Sequence, residues 1–228
     1  MIKKTIAFIQ QWGIGRTIIH ITYAKFLSPL GFYITQVRGS EVVTSFEIDT
    51  APGIVLKVIS KDELLQLAQD PRLDMSKDFI NFAFEQNYLP FGLLMDGKLV
   101  AYAWQSRSSV WLREDIFVEF PVEYRYGYKA FVLPEFRGQK LISLIYHFQA
   151  NYYLELGVSK VIGYIEINNF ASFASGEAYG KSNKTLKRMD LGYAGYWSKG
   201  PFFLAFRTPA AKAAGFRFSR VKGHQPLL

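Results

Sequence analysis

The sequence predicts a mixed α/β fold in which helices and strands pack in layers. Strand and helix patterns follow one another in the order β-α-α-β-β-β-α-β-α-β-β. Half of the 228 residues are apolar, so the chain can bury a substantial core. A long apolar helix pattern, LISLIYHFQANYYLELG, directly follows a strand and a turn, FVLPEFRGQK. These observations indicate one large domain, or one domain with an extension.

Caps mark the first elements of this pattern. Residues 53–60 indicate a strand, and the helix predicted over 60–70 begins with a capping box formed by Ser60 and Glu63. A second helix is predicted over 75–87, where apolar side chains recur at helical spacing. The chain therefore starts its regular pattern with one strand and two helices.

Turn signals mark the later elements. A hairpin is predicted over 91–106, because Asp96-Gly97 is a strong turn signal between two apolar runs. A tyrosine-rich strand, a long helix, another strand, two short helical or turn-rich pieces and a closing hairpin then follow. They cover residues 123–133, 138–156, 159–167, 169–180, 182–192, and 193–198 with 201–207.

Composition excludes several kinds of site. The chain has no cysteine, which rules out disulfides, zinc–thiolate sites and cysteine nucleophiles. Its three histidines (His20, His147 and His224) are scattered, so no metal site is expected. No apolar run reaches the roughly 18 to 20 residues of a membrane span, and the amino terminus lacks the cleavage site of a secretory signal. The expected location is the cytoplasm.

Charge is distributed unevenly along the chain. All 19 acidic residues lie between Glu41 and Asp190, whereas residues 1–40 and 191–228 carry five and six Lys or Arg. Such ends suit an anionic partner, either a phosphorylated cofactor, an acidic protein, a membrane surface or a nucleic acid. The alternative is that both ends are solvated surface. Nucleic acid is the least expected partner, because no helix combines a basic face with a docking motif.

Two short helices are predicted over residues 1–35, broken at Gly13 and Gly15. Their apolar residues recur at near-helical spacing, which suits an interfacial amphipathic element. An arm that packs on the domain is an equally good interpretation.

The segment FVLPEFRGQKLI is where a strand, a turn and a helix start meet. A helix start presents N–H groups that no helical turn uses, and its dipole favours an anion. Gly138 lets the backbone approach a ligand closely, and Arg137 can donate charge-assisted hydrogen bonds. The segment therefore indicates a phosphate-binding site.

This segment also resembles the signature of the GCN5-related N-acetyltransferase superfamily, in which Val-x-Pro and an aromatic residue precede Arg-Gly-x-Gly-x-Gly or Ala at a helix start. The matching residues are Val132, Pro134, Phe136, Arg137 and Gly138. The resemblance covers about residues 52–207. It implies a mixed, mainly antiparallel sheet with helices on both faces, splayed between its fourth and fifth strands. The implied divisions are a basic helical extension (1–50), the acyltransferase domain (51–207) and a basic tail (208–228).

The resemblance implies acetyl-coenzyme A, or another acyl-coenzyme A, as co-substrate. Its pyrophosphate would lie over residues 137–142 and its pantetheine arm along the fourth strand. The implied contacts are Phe131, Val132, Leu133, Arg137, Gly138, Gln139, Lys140, Leu141, Ile142, Asn169 and Ser172. The family pattern has glycine where Lys140 stands and a small residue where Ile142 stands. Lys140 keeps its N–H and adds an ammonium, whereas Ile142 can shift the helix outward.

Acyl transfer to an amine needs a base for the amine, a donor for the oxyanion and a proton for the leaving thiolate. The candidate bases are Glu123, at the start of the fourth strand, and Glu166, near the end of the fifth. The oxyanion donor would be a backbone N–H near Val132 or Leu133. Family members commonly use a tyrosine after the fifth strand as the acid, and this implies Tyr179.

Two alternatives remain for the end of the helix after the fifth strand. It ends either at EAYG, residues 177–180, or after an insertion at LGY, residues 191–193. In the second case the acid would be Tyr193 or Tyr196 rather than Tyr179.

The function that the sequence predicts is transfer of an acetyl or longer acyl group from acyl-coenzyme A to a small-molecule amine. A close alternative takes acyl groups from acyl carrier protein, because that acidic protein would suit the basic ends and an acyl chain would suit the many aromatic residues. An alternative of another class is a non-catalytic binding module for an anionic partner, including peripheral contact with a membrane through the basic ends.

Overall fold

The computed structural model describes residues 6, 9–113, 115–199 and 202–221. Its strands are β1 Phe32–Val42, β2 Ile54–Val58, β3 Leu89–Met95, β4 Lys98–Ser106, β5 Val110–Arg113, β6 Ile116–Glu119, β7 Tyr124–Val132, β8 Lys160–Glu166, β9 Leu186–Lys199, β10 Phe202–Arg207 and β11 Arg217–Arg220. Its main helices are α1 Ile14–Thr22, α2 Lys61–Leu67, α3 Lys77–Glu85, α4 Leu141–Glu155, α5 Phe170–Ser182 and α6 Pro209–Ala213. A π-helical turn, Tyr23–Leu27, continues α1.

Eight strands form the central sheet in the order β10-β9-β1-β8-β7-β4-β3-β2. Neighbouring strands are antiparallel except β7 and β8, which run parallel. These two strands are the fourth and fifth strands of the sequence analysis. The predicted mixed, mainly antiparallel sheet is confirmed.

Helices cover both faces of this sheet. In β4, Trp104 packs its ring against Phe79 of α3 at 5.4 Å, while the next residue, Gln105, donates to Gln149 of α4 at 2.7 Å. Successive strand residues point to opposite faces, so α3 and α4 lie on opposite sides. α5 lies on the side of α4, where its Glu177 pairs with Arg38 of β1 at 3.0 Å. We call these sides the helix face (α4 and α5) and the aromatic face (α3).

Local signals in the sequence fix several element ends. The Ser60 hydroxyl accepts from the Glu63 amide at 3.4 Å at the start of α2, and the Ser76 hydroxyl caps α3 in the same way. Asp96 and Gly97 have φ angles of 49° and 79°, as a type I′ hairpin turn between β3 and β4 requires. The predicted capping box and hairpin are confirmed.

Strand β1 was not predicted, although it lies in the sheet between β8 and β9. Its segment FYITQVRGSEV mixes polar and small residues, and in its middle only alternate positions such as Thr35 and Val37 are deeply buried. Pairing on both sides stabilises it, and that pairing is invisible in the local sequence. A second sheet of three strands, β11-β6-β5, was also not predicted.

The expectation of a short helical or turn-rich piece over 182–192 is wrong. The chain enters β9 at Leu186 and stays extended for 14 residues, because β1 pairs with residues 186–197 and β10 pairs with residues 194–199. α5 ends at Ser182, directly after residues 177–180, so EAYG rather than LGY ends the helix that follows β8.

No helix among the described residues has the length and apolar character that crossing a bilayer requires.

Candidate active site

An opening in the sheet lies between β7 and β8. The two strands pair over only three residues each, 124–126 with 160–162, and then separate. β7 also bulges, because it takes three residue steps from Gly127 to Ala130 where β4 takes two. The splay that the resemblance implied is confirmed, and it leaves the later part of β7 without a partner on the β8 side.

A cleft of about 1790 Å³ begins at this opening. Its walls come from β7 and β8, the turn before α4, α4 and α5 on the helix face, and residues around α3 on the aromatic face. Ordinary ligand pockets measure roughly 300–1,000 Å³, so this cleft has room for a large ligand and a second substrate together.

The turn before α4 has two residues in the left-handed region. Gly138 has φ 82° and Lys140 has φ 59°. A Cβ at Gly138 would meet no atom within 4 Å, so the backbone conformation rather than crowding favours glycine there. Lys140 stands where the family pattern has glycine and still adopts the conformation that glycine adopts most easily. The substitution therefore preserves the shape of the turn.

The start of α4 offers backbone donors to the cleft. Within the described part of the chain, the amide N–H groups of residues 139–142 have no acceptor, and no side chain caps the helix. Leu141 and Ile142 line the cleft. Unused N–H groups at a helix start, together with the helix dipole, make a binding site for phosphate.

Arg137 gives this turn a positive charge. Its Nε donates to the Val132 carbonyl at 3.1 Å, and its guanidinium carbon lies 5.7 Å from the centre of the Phe131 ring. The nearby carboxylate of Glu135 is paired with Arg72 at 2.7 Å. The side chains of Arg137 and Lys140 are both exposed at the rim, where they can reach an anion.

The backbone of β7 presents polar groups to the opening. The Leu133 N–H donates to the Val100 carbonyl of β4 at 2.9 Å, so it is not available as an oxyanion donor. In an antiparallel ladder the neighbouring residue faces the other way, so the N–H and C=O of Val132 point into the opening. Phe131 and Val132 line the cleft, whereas Leu133 is buried outside it.

α5 brings three of the predicted residues to the cleft. The Asn169 side chain caps α5 by accepting from the Ser172 amide at 3.2 Å, and both residues line the cleft. Tyr179, two turns further along, packs edge-to-face on Tyr146 of α4 at 5.3 Å. Burial raises the pKa of Tyr179 well above its usual range, although the charge of Arg125 opposes the rise. The phenol is therefore a proton donor at any ordinary pH.

The two candidate bases lie in different places. Glu166 ends β8 and lines the cleft. Tyr164 contacts Tyr126 on the aromatic face at 6.1 Å, and strand alternation places Glu166 on that same face. Glu123 precedes β7 at its far end, is exposed, and is not among the residues that line the cleft. The structure therefore brings Glu166, but not Glu123, to the site, and Gln139 also lies outside the lining.

The sequence analysis did not assign the aromatic wall of the cleft. Phe79 of α3 stacks on Tyr128 of β7 at 6.2 Å and packs edge-to-face on Trp104, and all three line the cleft. The alternating tyrosines of the predicted strand were the one available signal, since they place Tyr126 and Tyr128 on one face. Nothing in the local sequence links them to Phe79 or Trp104, which only the packing of α3 brings together.

Arg125 is the second missed feature of the cleft. It lies on β7 among the tyrosines but points to the helix face, where only 3% of it is exposed. Burial lowers its pKa to about 10, so the guanidinium is still charged at neutral pH. An arginine between two tyrosines of a predicted core strand is an unusual pattern and was the signal available in the sequence.

The backbone is similar to parts of several acetyltransferase structures. A GCN5-related N-acetyltransferase from Kribbella flavida aligns at 15% identity over 63% of this chain and 54% of that chain, with a TM-score of 0.41. An aminoglycoside acetyltransferase from an uncultured soil metagenomic sample aligns at 14% over 60% and 93%, with a TM-score of 0.45. The ribosomal-protein-S18-alanine N-acetyltransferase of Escherichia coli aligns at 19% over 56% and 76%, with a TM-score of 0.41. No protein-family model matches the sequence, and no curated protein does.

Proposed function

We propose that this protein transfers an acyl group from an acyl-coenzyme A to an amine. The observation that carries the proposal is the opening between β7 and β8, which joins unpaired strand backbone to the free N–H groups at the start of α4. A pyrophosphate fits the helix start, and an amide-bearing arm fits the unpaired edge of β7 as an added strand would. The resemblance of FVLPEFRGQK to the superfamily signature supports the same placement.

The donor would lie on the helix face and the acceptor on the aromatic face. Arg137, Lys140 and the amides of residues 139–142 would hold the pyrophosphate, while Val132 would pair with the pantetheine arm. Asn169 and Ser172 line the same face. Phe79, Trp104 and Tyr128 would hold an acceptor with an apolar or aromatic body.

The chemistry needs no group beyond the two substrates and this chain. The amine nitrogen attacks the thioester carbonyl carbon while Glu166, directly or through a water, takes the proton from nitrogen. A backbone N–H on the unpaired edge of β7 would stabilise the oxyanion that forms on the carbonyl oxygen. As the carbon–sulfur bond breaks, Tyr179 would give its proton to the sulfur, leaving free coenzyme A and an amide.

A binding and transfer experiment tests this proposal. Acetyl-coenzyme A at 100 times its dissociation constant should stabilise the protein by about 2.7 kcal/mol in thermal unfolding. A panel of primary amines with apolar and aromatic bodies should then yield amide products by mass spectrometry. Glu166→Gln should lower kcat/KM for the amine while leaving the affinity for acetyl-coenzyme A nearly unchanged. If neither acetyl-coenzyme A nor longer esters shift the unfolding temperature, the proposal is wrong.

We also propose that an anionic lipid surface binds the two acid-free ends. Thirteen of the seventeen exposed large hydrophobic side chains of the described residues lie within 1–40 or 191–221. The fold joins these segments, since β1 pairs with β9 and β9 with β10. On that surface Trp197 stacks on Phe202 at 6.1 Å, beside the exposed Lys199. Apolar side chains and cations without carboxylates suit an anionic membrane surface.

Vesicle flotation tests this second proposal. The protein should float with vesicles of anionic phosphatidylglycerol and much less with neutral phosphatidylcholine, and added salt should reverse binding. Phe202→Ser with Leu204→Ser should reduce flotation, whereas Val55→Ser with Val122→Ser, exposed elsewhere, should not. Equal binding to both vesicles, a dimer in solution that hides these side chains, or binding to acyl carrier protein alone would each overturn it.

A further inference from the structure

Arg125 lines the cleft on the helix face and is almost fully buried. Its Nη1 makes one long hydrogen bond, 3.4 Å, to the carbonyl of Gln149, and its guanidinium carbon lies 4.9 Å from the centre of the Tyr153 ring. Its Nε is fully buried and has no hydrogen-bond partner among the described residues, as is also true of the Oε1 atom of nearby Gln105. A buried charged group in a cleft wall therefore has a donor to spare.

The charge of Arg125 has no carboxylate to balance it within the described residues. Two other arginines of the cleft wall are paired, since Arg38 and Arg188 both bind Glu177, at 3.0 and 2.8 Å. A buried charge without a partner costs several kcal/mol, and a carboxylate in direct contact would offset that cost. Of the four arginines that line the cleft, Arg38 and Arg188 share one carboxylate, whereas the rim residue Arg137 and the buried Arg125 have no ion pair among the described residues.

Two glycines leave space beside this group. Gly127 follows Arg125 on the same face of β7, and Gly163 lies across the opening on β8. A Cβ at Gly127 would meet no atom within 4 Å, and one at Gly163 would meet only the Gly127 carbonyl at 3.8 Å. Side chains at these positions would fill the path between the opening and Arg125, so the glycines keep that path clear.

Arg125 lies at the other end of the cleft from the phosphate site. From Val132 to Gly127 the strand covers about 16 Å at roughly 3.3 Å per residue, so Arg125 is too far for the phosphates held at residues 137–142. It is close to Tyr179, whose pKa its charge lowers. A ligand group that reaches Arg125 must therefore be attached near the reacting thioester.

We infer that Arg125 binds a carboxylate at the far end of a short donor acyl group, so that the preferred donor is the coenzyme A ester of a dicarboxylic acid. The inference rests on the proposed acyl transfer. The carboxylate would accept from Nε and Nη2 of Arg125, the edge of the guanidinium away from the Nη1–Gln149 hydrogen bond, and the methylene carbons would pass over Gly127 and Gly163. The other carboxyl carbon, held as the thioester, would face the amine.

Two four-carbon donors that differ only at their far end test the inference. Succinyl-coenzyme A ends in a carboxylate and butyryl-coenzyme A in a methyl group. We expect the wild-type protein to bind the succinyl ester at least tenfold more tightly by calorimetry, and to show the same preference in kcat/KM. In Arg125→Met the preference should fall to about one or reverse, and Arg125→Lys should restore part of it.

Arg38→Met is the matched control, because it removes a cation from the same face that is already paired with Glu177. Its ratio of succinyl to butyryl affinity should stay within about twofold of the wild-type ratio. A wild-type ratio near one needs no variant to measure, and it would overturn the inference even if Arg125→Met failed to fold. Equal losses of affinity for both donors in Arg125→Met would overturn the inference. They would indicate that Arg125 acts on Tyr179 or on a bridging water instead.

The acceptor is the other possible source of a carboxylate. Tyramine and tyrosine differ by this group, so an Arg125-dependent preference for tyrosine, with no donor preference, would also overturn the inference. Binding of acetyl- and butyryl-coenzyme A without a succinyl preference refutes only the carboxylate site. Failure of every ester to bind refutes the proposed acyl transfer and this inference with it.

Discussion

The two faces of the opening between β7 and β8 differ in chemistry although one strand supplies both. β7 sends Arg125 and Gly127 to the helix face and Tyr126 and Tyr128 to the aromatic face. The helix face has cations, free amides and open space, whereas the aromatic face has stacked rings. Strand alternation can thus separate an anionic substrate from an apolar one while leaving both beside the same short length of backbone.

Because the two faces differ in chemistry, a substitution on either face should affect mainly the substrate that binds there. Changes on the helix face should alter donor affinity or thiolate departure, and changes on the aromatic face should alter acceptor binding. The four variants below test that separation, and an effect on the wrong substrate would break it.

The largest effect is expected from Tyr179→Phe. The ring and its contact with Tyr146 remain, so only the proton donor is lost, and kcat should fall about 100-fold. Donor affinity should change by less than about twofold, as calorimetry would show. An acid works while it is protonated, and burial raises the pKa of Tyr179, so the wild-type kcat should show no loss from this group as pH rises to 10. An unchanged kcat would remove Tyr179 from the mechanism.

A smaller effect is expected from Arg137→Glu, which places a negative charge beside the phosphate site. Coenzyme A affinity should fall tenfold or more, which corresponds to about 1.4 kcal/mol. Lys98→Glu makes the same charge change on the exposed hairpin and is the control. Equal affinities for coenzyme A in the two folded variants, measured by calorimetry, would refute the placement of the pyrophosphate.

Tyr128→Leu tests the aromatic face. The substitution removes ring contacts with Phe79 at 6.2 Å and Tyr88 at 5.1 Å, which are worth about 0.5–1.5 kcal/mol. The KM of an aromatic amine should rise roughly two- to tenfold while donor affinity is retained, whereas the exposed Tyr193→Leu should change neither. A loss of donor affinity in Tyr128→Leu would show that the faces are not separate.

The smallest effect is expected from Lys140→Gly. Glycine adopts the left-handed backbone at this position without strain, so the free energy of unfolding in urea should rise by up to about 1 kcal/mol. Donor affinity should fall two- to threefold if the lysine ammonium contacts a phosphate. A stability decrease would show that the Lys140 side chain contributes more than its backbone costs.

The sequence by itself determined the parts of this protein that depend on neighbouring residues. The Ser60 cap, the Asp96-Gly97 turn and the strand–turn–helix at 131–142 follow from interactions within a few residues, and all three are present. The phosphate-site prediction has the same basis, because helix-start amides and Gly138 belong to one short segment. Lys140 shows the limit of such a pattern, since the turn keeps its shape without the second glycine.

The tertiary structure alone decided the parts that join distant segments. β1 is a strand because β8 and β9 pair with it on either side, and the first half of β9 is a strand because it pairs with β1; their polar sequences do not show this pairing. The aromatic wall exists because α3 lies over β4 and β7, and packing buries Arg125 with no carboxylate partner among the described residues, whereas it brings Arg38 and Arg188 to Glu177. Burial and pairing between segments depend on how distant parts of the chain pack, so a local sequence pattern cannot predict them.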